Sequence, residues 1–285
     1  MRAILILAKL TLREAMRRRI LLAGLLLGVS FLIIFTIGFH YLLAQLEAEI
    51  AAGAPSQGVA RIANAEIMNG FVIMGLYAVT FLSIAMAALL GADTLAGEIN
   101  SGTIQTVVTK PIRRSEVVLG KWLGFAGLLG LYLLLMAGGV VLSVFLQTGY
   151  APDNLLNGLS LIYLEALVVM TVTLMCSSAF PALATGGIVF GLYGLAFIGG
   201  WIEQFGAFFQ NQTAVKIGII TSLIIPSEAL WRRAAFEMQS PFANALGVSP
   251  FGTISVPSGL MIIYAVFYLI ATLILSIRIF QKRDL

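Results

Sequence analysis

The 285 residues of this chain are 60% hydrophobic and only 11% charged, with a mean hydropathy of +1.00, a composition that excludes a soluble domain of this size. A net charge of +4 comes with one histidine and one cysteine, so an intramolecular disulfide is excluded, and His40 with the distant Cys176 makes no metal site. The fold class that remains is an all-α polytopic membrane protein, read as a single transmembrane domain over residues 1–285 with membrane lipid as its surroundings and no nucleic-acid partner.

Residues 1–19 form the first predicted element. On a helical wheel Arg2, Lys9, Arg13 and Arg17 gather on one side, with Ile4, Leu5, Ala8, Leu12, Ala15 and Met16 opposite, while Ile6 and Leu10 blur the polar stripe. This pattern predicts a helix lying along the inner membrane surface, with Lys9, Arg13, Arg17, Arg18 and Arg19 at the headgroups; the plainer alternative is a basic flank anchoring the first span. The apolar run that follows, about 20–46, is too long for the core of a cleaved signal peptide and predicts a retained first span. An alanine-rich outer loop leads to a second span over about 67–92.

Residues 93–121 interrupt the apolar pattern with charge, glycine and helix-capping chemistry. Asn100 or Ser101 is a candidate cap for a short helix through Val108, Thr109 precedes Lys110 and Pro111 where helix is disfavoured, and Ser115 is a candidate cap for the third span with Glu116 in its first turn. A loop that only joined two spans needs a few residues, so this stretch predicts a contact outside the membrane. Gly120 and Lys121 suggest a phosphate-binding loop, but Ser115 and Trp122 stand where that motif needs glycine and Ser or Thr. The chain is therefore expected to carry no ATPase chemistry, no catalytic residue and no cofactor of its own.

Further spans are predicted over about 122–147, 158–180, 182–202 and 259–277, making six. Gly28, Gly38, Gly75, Gly124, Gly127, Gly138, Gly187 and Gly191 suggest spans shaped for close helix contact. Glu165 is the acid well inside a span; a hydrogen bond to a neighbouring helix or snorkelling is the leading expectation, with a place on a substrate path as the alternative. Between the last two spans, residues 203–258 hold an apolar stretch, Thr213 to Ile225, too short to cross and a candidate to re-enter the outer leaflet, then Pro226 and a helix with Trp231, Arg232, Arg233 and Glu237. With an even number of spans, 13 of the 17 basic residues fall on one side, leaving Arg61, Lys216, Arg232 and Arg233 opposite. That asymmetry puts both termini and the polar loop in the cytoplasm, with the turn near Pro181 as the one inner corner lacking a basic residue.

The sequence Glu98, Gly102, Thr103, Ile104, then Lys110, Pro111, Ile112, Arg114, Gly120 and Lys121 resembles the signature of type-2 ABC transporter permeases, the membrane subunits of ABC exporters. The basic N-terminal helix, six spans and long outer segment before the last span agree with that resemblance. It implies that Glu98 to Thr109 is a coupling helix seated on a separate ATP-binding subunit. Glu98, Gly102, Thr103 and Ile104 would touch that ATPase, while Lys110, Pro111, Arg113 and Arg114 would hold the loop against it and against headgroups. It further implies a second copy of the chain or a related permease, ATP and Mg held by the partner, and a location in a bacterial or archaeal cell membrane; the scarcity of charge within the spans fits a hydrophobic or amphipathic cargo better than an ion. A channel or secondary transporter independent of ATP is the alternative.

Overall fold

In a computed structural model, residues 2–51, 57–100, 113–240 and 255–283 are described. Every element among them is a helix: α1 (Arg2–Arg17), α2 (Arg19–Ala51), α3 (Gln57–Ala92), α4 (Thr94–Asn100), α5 (Arg114–Thr148), α6 (Leu155–Ala179), α7 (Ala182–Phe208), α8 (Gln212–Ile224), α9 (Ser227–Met238) and α10 (Gly259–Lys282). Six of these helices are long and apolar enough to cross a membrane. The central ones are α3, α5 and α6, whereas α2, α7 and α10 turn most of their Leu, Ile and Phe side chains outward, as helices facing lipid or another chain do.

The spans start and stop later or earlier than hydropathy alone suggests. The 35 residues of α5 give a helix roughly 50 Å long, well beyond the hydrocarbon thickness, and it begins at Arg114 rather than near residue 122. It stops at Gly149, whose φ of 72° is open to glycine and whose N–H donates to the Phe145 carbonyl at 2.8 Å. The glycine expectation holds only in part. A Cβ at Gly28, Gly75 or Gly124 would collide with a neighbouring helix, whereas Gly38, Gly127, Gly138, Gly187 and Gly191 border open space.

Helix α1 lies across the start of α5 rather than only on lipid. A Cβ at Gly120 would stand 2.5 Å from the Leu7 Cβ, and one at Gly124 would stand 2.8 Å from the Ala8 carbonyl oxygen, so these two glycines let the helix axes approach. Ala15 and Thr11 are buried in this seam, leaving Lys9, Arg13, Arg17 and Arg19 exposed. The chain ends gather on the same face. Arg18 reaches Asp93 at 3.2 Å, and Arg114 donates to the carbonyls of Gln281 (3.1 Å) and Arg283 (2.7 Å). An even number of crossings brings the first helix, the stems of the polar loop and the tail together in this way.

At the opposite face α8 and α9 form a pair bent by 108° at Ile225 and Pro226. It is re-entrant rather than a seventh crossing, because both of its outer ends sit at the same level of the bundle. Gly206, near the end of α7, faces Ala214 near the start of α8; Met238, at the end of α9, packs on Gly158 near the start of α6. Asn69 then donates to both the Tyr150 hydroxyl (2.7 Å) and the Met238 carbonyl (2.9 Å). The apolar stretch from Thr213 therefore descends along α7, and α9 returns along α6.

In a Cys176→Ser background, an impermeant thiol reagent applied outside cells is expected to label Gln210→Cys and to leave Gln281→Cys unreacted. Labelling of Gln281→Cys from outside would require an odd number of crossings.

Candidate functional site

Two polar regions stand apart in the fold, and the first is the face where the basic residues gather. Here α3 breaks at Asp93 and restarts as α4. The N–H groups of Leu95 and Ala96 at the new helix start need acceptors, and both donate to Ser177 Oγ of α6, at 3.2 and 3.1 Å. The Ser177 hydroxyl in turn donates to the Ala92 carbonyl at 2.9 Å, so one side chain satisfies both sides of the break. The cap of this short helix thus comes from a residue 82 positions away in sequence.

Asn100 is the last described residue of α4; the expected cap at Asn100 or Ser101, the helix through Val108, and Gly102, Thr103, Ile104, Lys110 and Pro111 lie outside the described residues, as does the side chain of Glu98. On the far stem Arg113, not Ser115, caps α5. Its N–H donates to the Glu116 carboxylate at 3.1 Å, while Ser115 sits inside the first turn. Arg114 is engaged with the tail carbonyls. Arg283 donates to the Ser178 carbonyl at 2.6 Å, which supplies from the C-terminal tail the cation that the Pro181 corner lacks in its own sequence.

Beneath these polar clamps lies a small apolar knot. Leu95 of α4, Val117 and Val118 of α5, Leu174 of α6 and Phe280 of α10 are buried together, with Leu7 of α1 and Trp122 against them. The Trp122 indole donates to Thr171 Oγ1 at 2.8 Å. Five helices therefore meet directly below the two stems between which residues 101–112 run. The Arg18 ion pairs with Asp93 and Glu14 are partly exposed and worth about 0–1 kcal/mol, so their part is to position α1 rather than to stabilise it.

The second region is the re-entrant arm. Glu203 of α7 and Arg232 of α9 are both buried and form a two-pronged pair, each contact 2.8 Å, which Ser222 and Ser255 complete with further hydrogen bonds. Close packing makes this possible: a Cβ on Gly218 would stand 2.3 Å from the Glu203 Cβ. Glu165 is also here, fully buried. Neither of its oxygens has a hydrogen-bond partner among the described residues, so the expected bond to a neighbouring helix, and snorkelling to an interface, are both absent. Sequence reading named Glu165 alone as an acid at depth; Glu203, Glu228 and Arg232 are buried with it. At the rim, burial pushes the Tyr150 hydroxyl above its ordinary range, which leaves it a neutral acceptor for Asn69.

A bundle of six candidate crossings with a gathered basic face, a polar loop on clamped stems and a re-entrant arm before the last crossing defines a multi-pass membrane protein. The model of the ABC-2 family transporter proteins matches residues 5–285, and the chain belongs to that family. Among curated relatives, the probable ABC transporter permease protein NosY of Stutzerimonas stutzeri is 36% identical over 67 residues, 24% of each chain. The protein of the same description from Pseudomonas aeruginosa is 37% identical over 65 residues, 23% of this chain and 24% of the relative. The chain thus spans about a quarter of the length of the curated relatives it matches.

Replacing Ser177 by Ala removes the acceptor for two buried N–H groups at a helix start, a loss of about 1–2 kcal/mol. The expected result is a lower unfolding midpoint and faster amide exchange at Leu95 and Ala96, with exchange in the Met238 region unchanged.

Proposed function

We propose that the chain is the permease subunit of an ATP-driven exporter, powered by a separate ABC ATP-binding subunit that docks on residues 93–121. The observation that supports this reading most is the convergence below the loop stems. A load applied to residues 101–112 passes into α4 and α5, and the Phe280 knot spreads it to α1, α6 and α10. Ser177 and the Arg114 and Arg283 clamps resist local fraying, so a push on the loop moves whole helices. Glu98, Gly102, Thr103 and Ile104 form the contact with the ATPase, Lys110, Pro111 and Arg113 border it, and Arg114 fastens the stem to the tail.

In this reading ATP and Mg are held by the partner, the permease itself is no enzyme, and the exposed faces of α2, α7 and α10 meet lipid and a second permease copy. Lys9, Arg13, Arg17 and Arg19 are open to phosphate headgroups on the cytoplasmic side of a cell membrane. The cargo is hydrophobic or amphipathic and leaves between two copies as the re-entrant arm shifts. A secondary transporter independent of ATP is the second reading, favoured by one observation: a broken re-entrant pair with buried carboxyls. Dependence on an ATPase separates the two.

Charge reversal in Glu98→Lys, or bulk in Gly102→Trp, is expected to lower transport at least tenfold while ATP hydrolysis by the assembled complex continues. Variants with full transport and full assembly would place the coupling contact elsewhere.

A further inference from the structure

The buried charges at the re-entrant arm do not balance: among the described residues, Glu165, Glu203 and Glu228 share Arg232 alone. Arg232 is committed to Glu203, and Arg233 to Glu237 one turn along the same helix at 2.5 Å. Two acids are left over. Glu165 is fully buried with both oxygens unpartnered, and Glu228 at the start of α9 is buried with its Oε2 unpartnered. Glu228 is the charged neighbour of Glu165, and among the described residues no ion pair reaches Glu165.

The walls of this compartment come from four helices. Tyr77 of α3 and Tyr193 of α7 both feel the two carboxyls, and Arg232, one turn beyond Glu228, is the cation nearest that carboxyl. The Trp231 ring lies 4.9 Å from the Tyr77 ring, and the Trp201 side chain hydrogen-bonds to the Tyr77 hydroxyl. Gly200 sits directly under Glu228: a Cβ there would be 2.3 Å from the Glu228 Cγ, so α9 presses its carboxyl into the bundle. Among the described residues no set of three metal-ligating side chains exists.

Glu165 is buried without a hydrogen-bond partner and faces the carboxyl of Glu228, whose own cation neighbour Arg232 is already paired with Glu203, so the two acids repel each other and Glu165 is undersolvated. The smallest positive charge that relieves both faults needs no cavity. We propose that Glu165 and Glu228 form a proton-binding site at the joint between α6 and the returning arm α9, occupied in the state seen here. The proton is taken from water onto a carboxylate oxygen and is returned to water when the arm turns about Ile225 and Pro226 and the pair is wetted. The site thereby ties the position of α9 to proton binding, whichever energy source moves the arm.

Infrared difference spectra of the full-length permease in lipid nanodiscs at neutral pH read the proton directly. The wild type is expected to show the C=O stretch of a protonated carboxyl, shifted in D2O, and Glu165→Gln, which keeps size and neutrality, is expected to lose it. Glu228→Gln is the second variant: it leaves Glu165 in place but changes its neighbour, so the band should move or narrow. Spectra in which Glu165→Gln loses only ionised carboxylate bands, or in which neither variant alters a protonated-carboxyl band, would overturn the proposal. The measurement needs no ATPase, so its failure is distinct from a failure of the exporter reading.

Discussion

In hydrocarbon a backbone N–H or C=O without a partner costs several kcal/mol, and the form of this protein follows from where that cost arises. Continuous helices avoid it. The chain stops being a continuous helix at a few places inside the bundle, and there distant side chains close the gap. Ser177 serves the break at Asp93, Arg114 takes the Gln281 and Arg283 carbonyls at the end of α10, and Arg283 takes the Ser178 carbonyl near the end of α6. Each of these residues joins two helices as a by-product of satisfying one, and the three together make the basic face a single joined surface.

The far face solves the same problem in a different way. There a helix pair enters the bundle and turns back, and its bend is surrounded by protein: Ser227, Glu228, Ala229 and Leu230 are all buried. Small residues carry the arm, since Gly199, Gly206 and Gly218 let α7 and α8 lie side by side at distances no larger side chain permits. The buried Glu203–Arg232 pair then fixes where along α7 the returning helix sits. Ion pairs of this kind add little net stability but make misplacement costly, because sliding one partner away leaves the other charged and alone. A joined surface at one end and a register-locked arm at the other leave α3, α5 and α6 as the rigid elements between them.

Much of this was legible in the chain. Span number, the basic first helix, the polar loop and the shortness of the apolar stretch Thr213 to Ile225, which made it a candidate to re-enter, all follow from length, hydropathy and the placement of Lys and Arg, because lipid imposes the same demands on every residue of a span. What stayed hidden depends on pairs far apart in sequence. Nothing near Ser177 marks it as the cap of a helix before residue 101, and no periodicity links Glu203 to Arg232. The Pro181 corner looked unanchored because its cation arrives from Arg283, 105 residues from the Ser178 carbonyl it binds. Glu165 was visible as an acid at depth, yet its lack of any partner and its nearness to Glu228 are properties of packing alone. The glycines divide the same way: sequence shows that a span can approach a neighbour closely, and only the fold shows which of them does.

The central claim is that a soluble ATPase acts on the joined basic face. Cross-linking mass spectrometry on the permease purified from its native membranes, together with any ABC ATP-binding protein that accompanies it, tests it most directly. Cross-links from that protein are expected to concentrate on residues 93–121, Lys9 and the tail at Lys282. A complex whose cross-links to this chain lie only near Lys216 at the far face, or the failure of any ABC ATP-binding protein to copurify, would contradict the account.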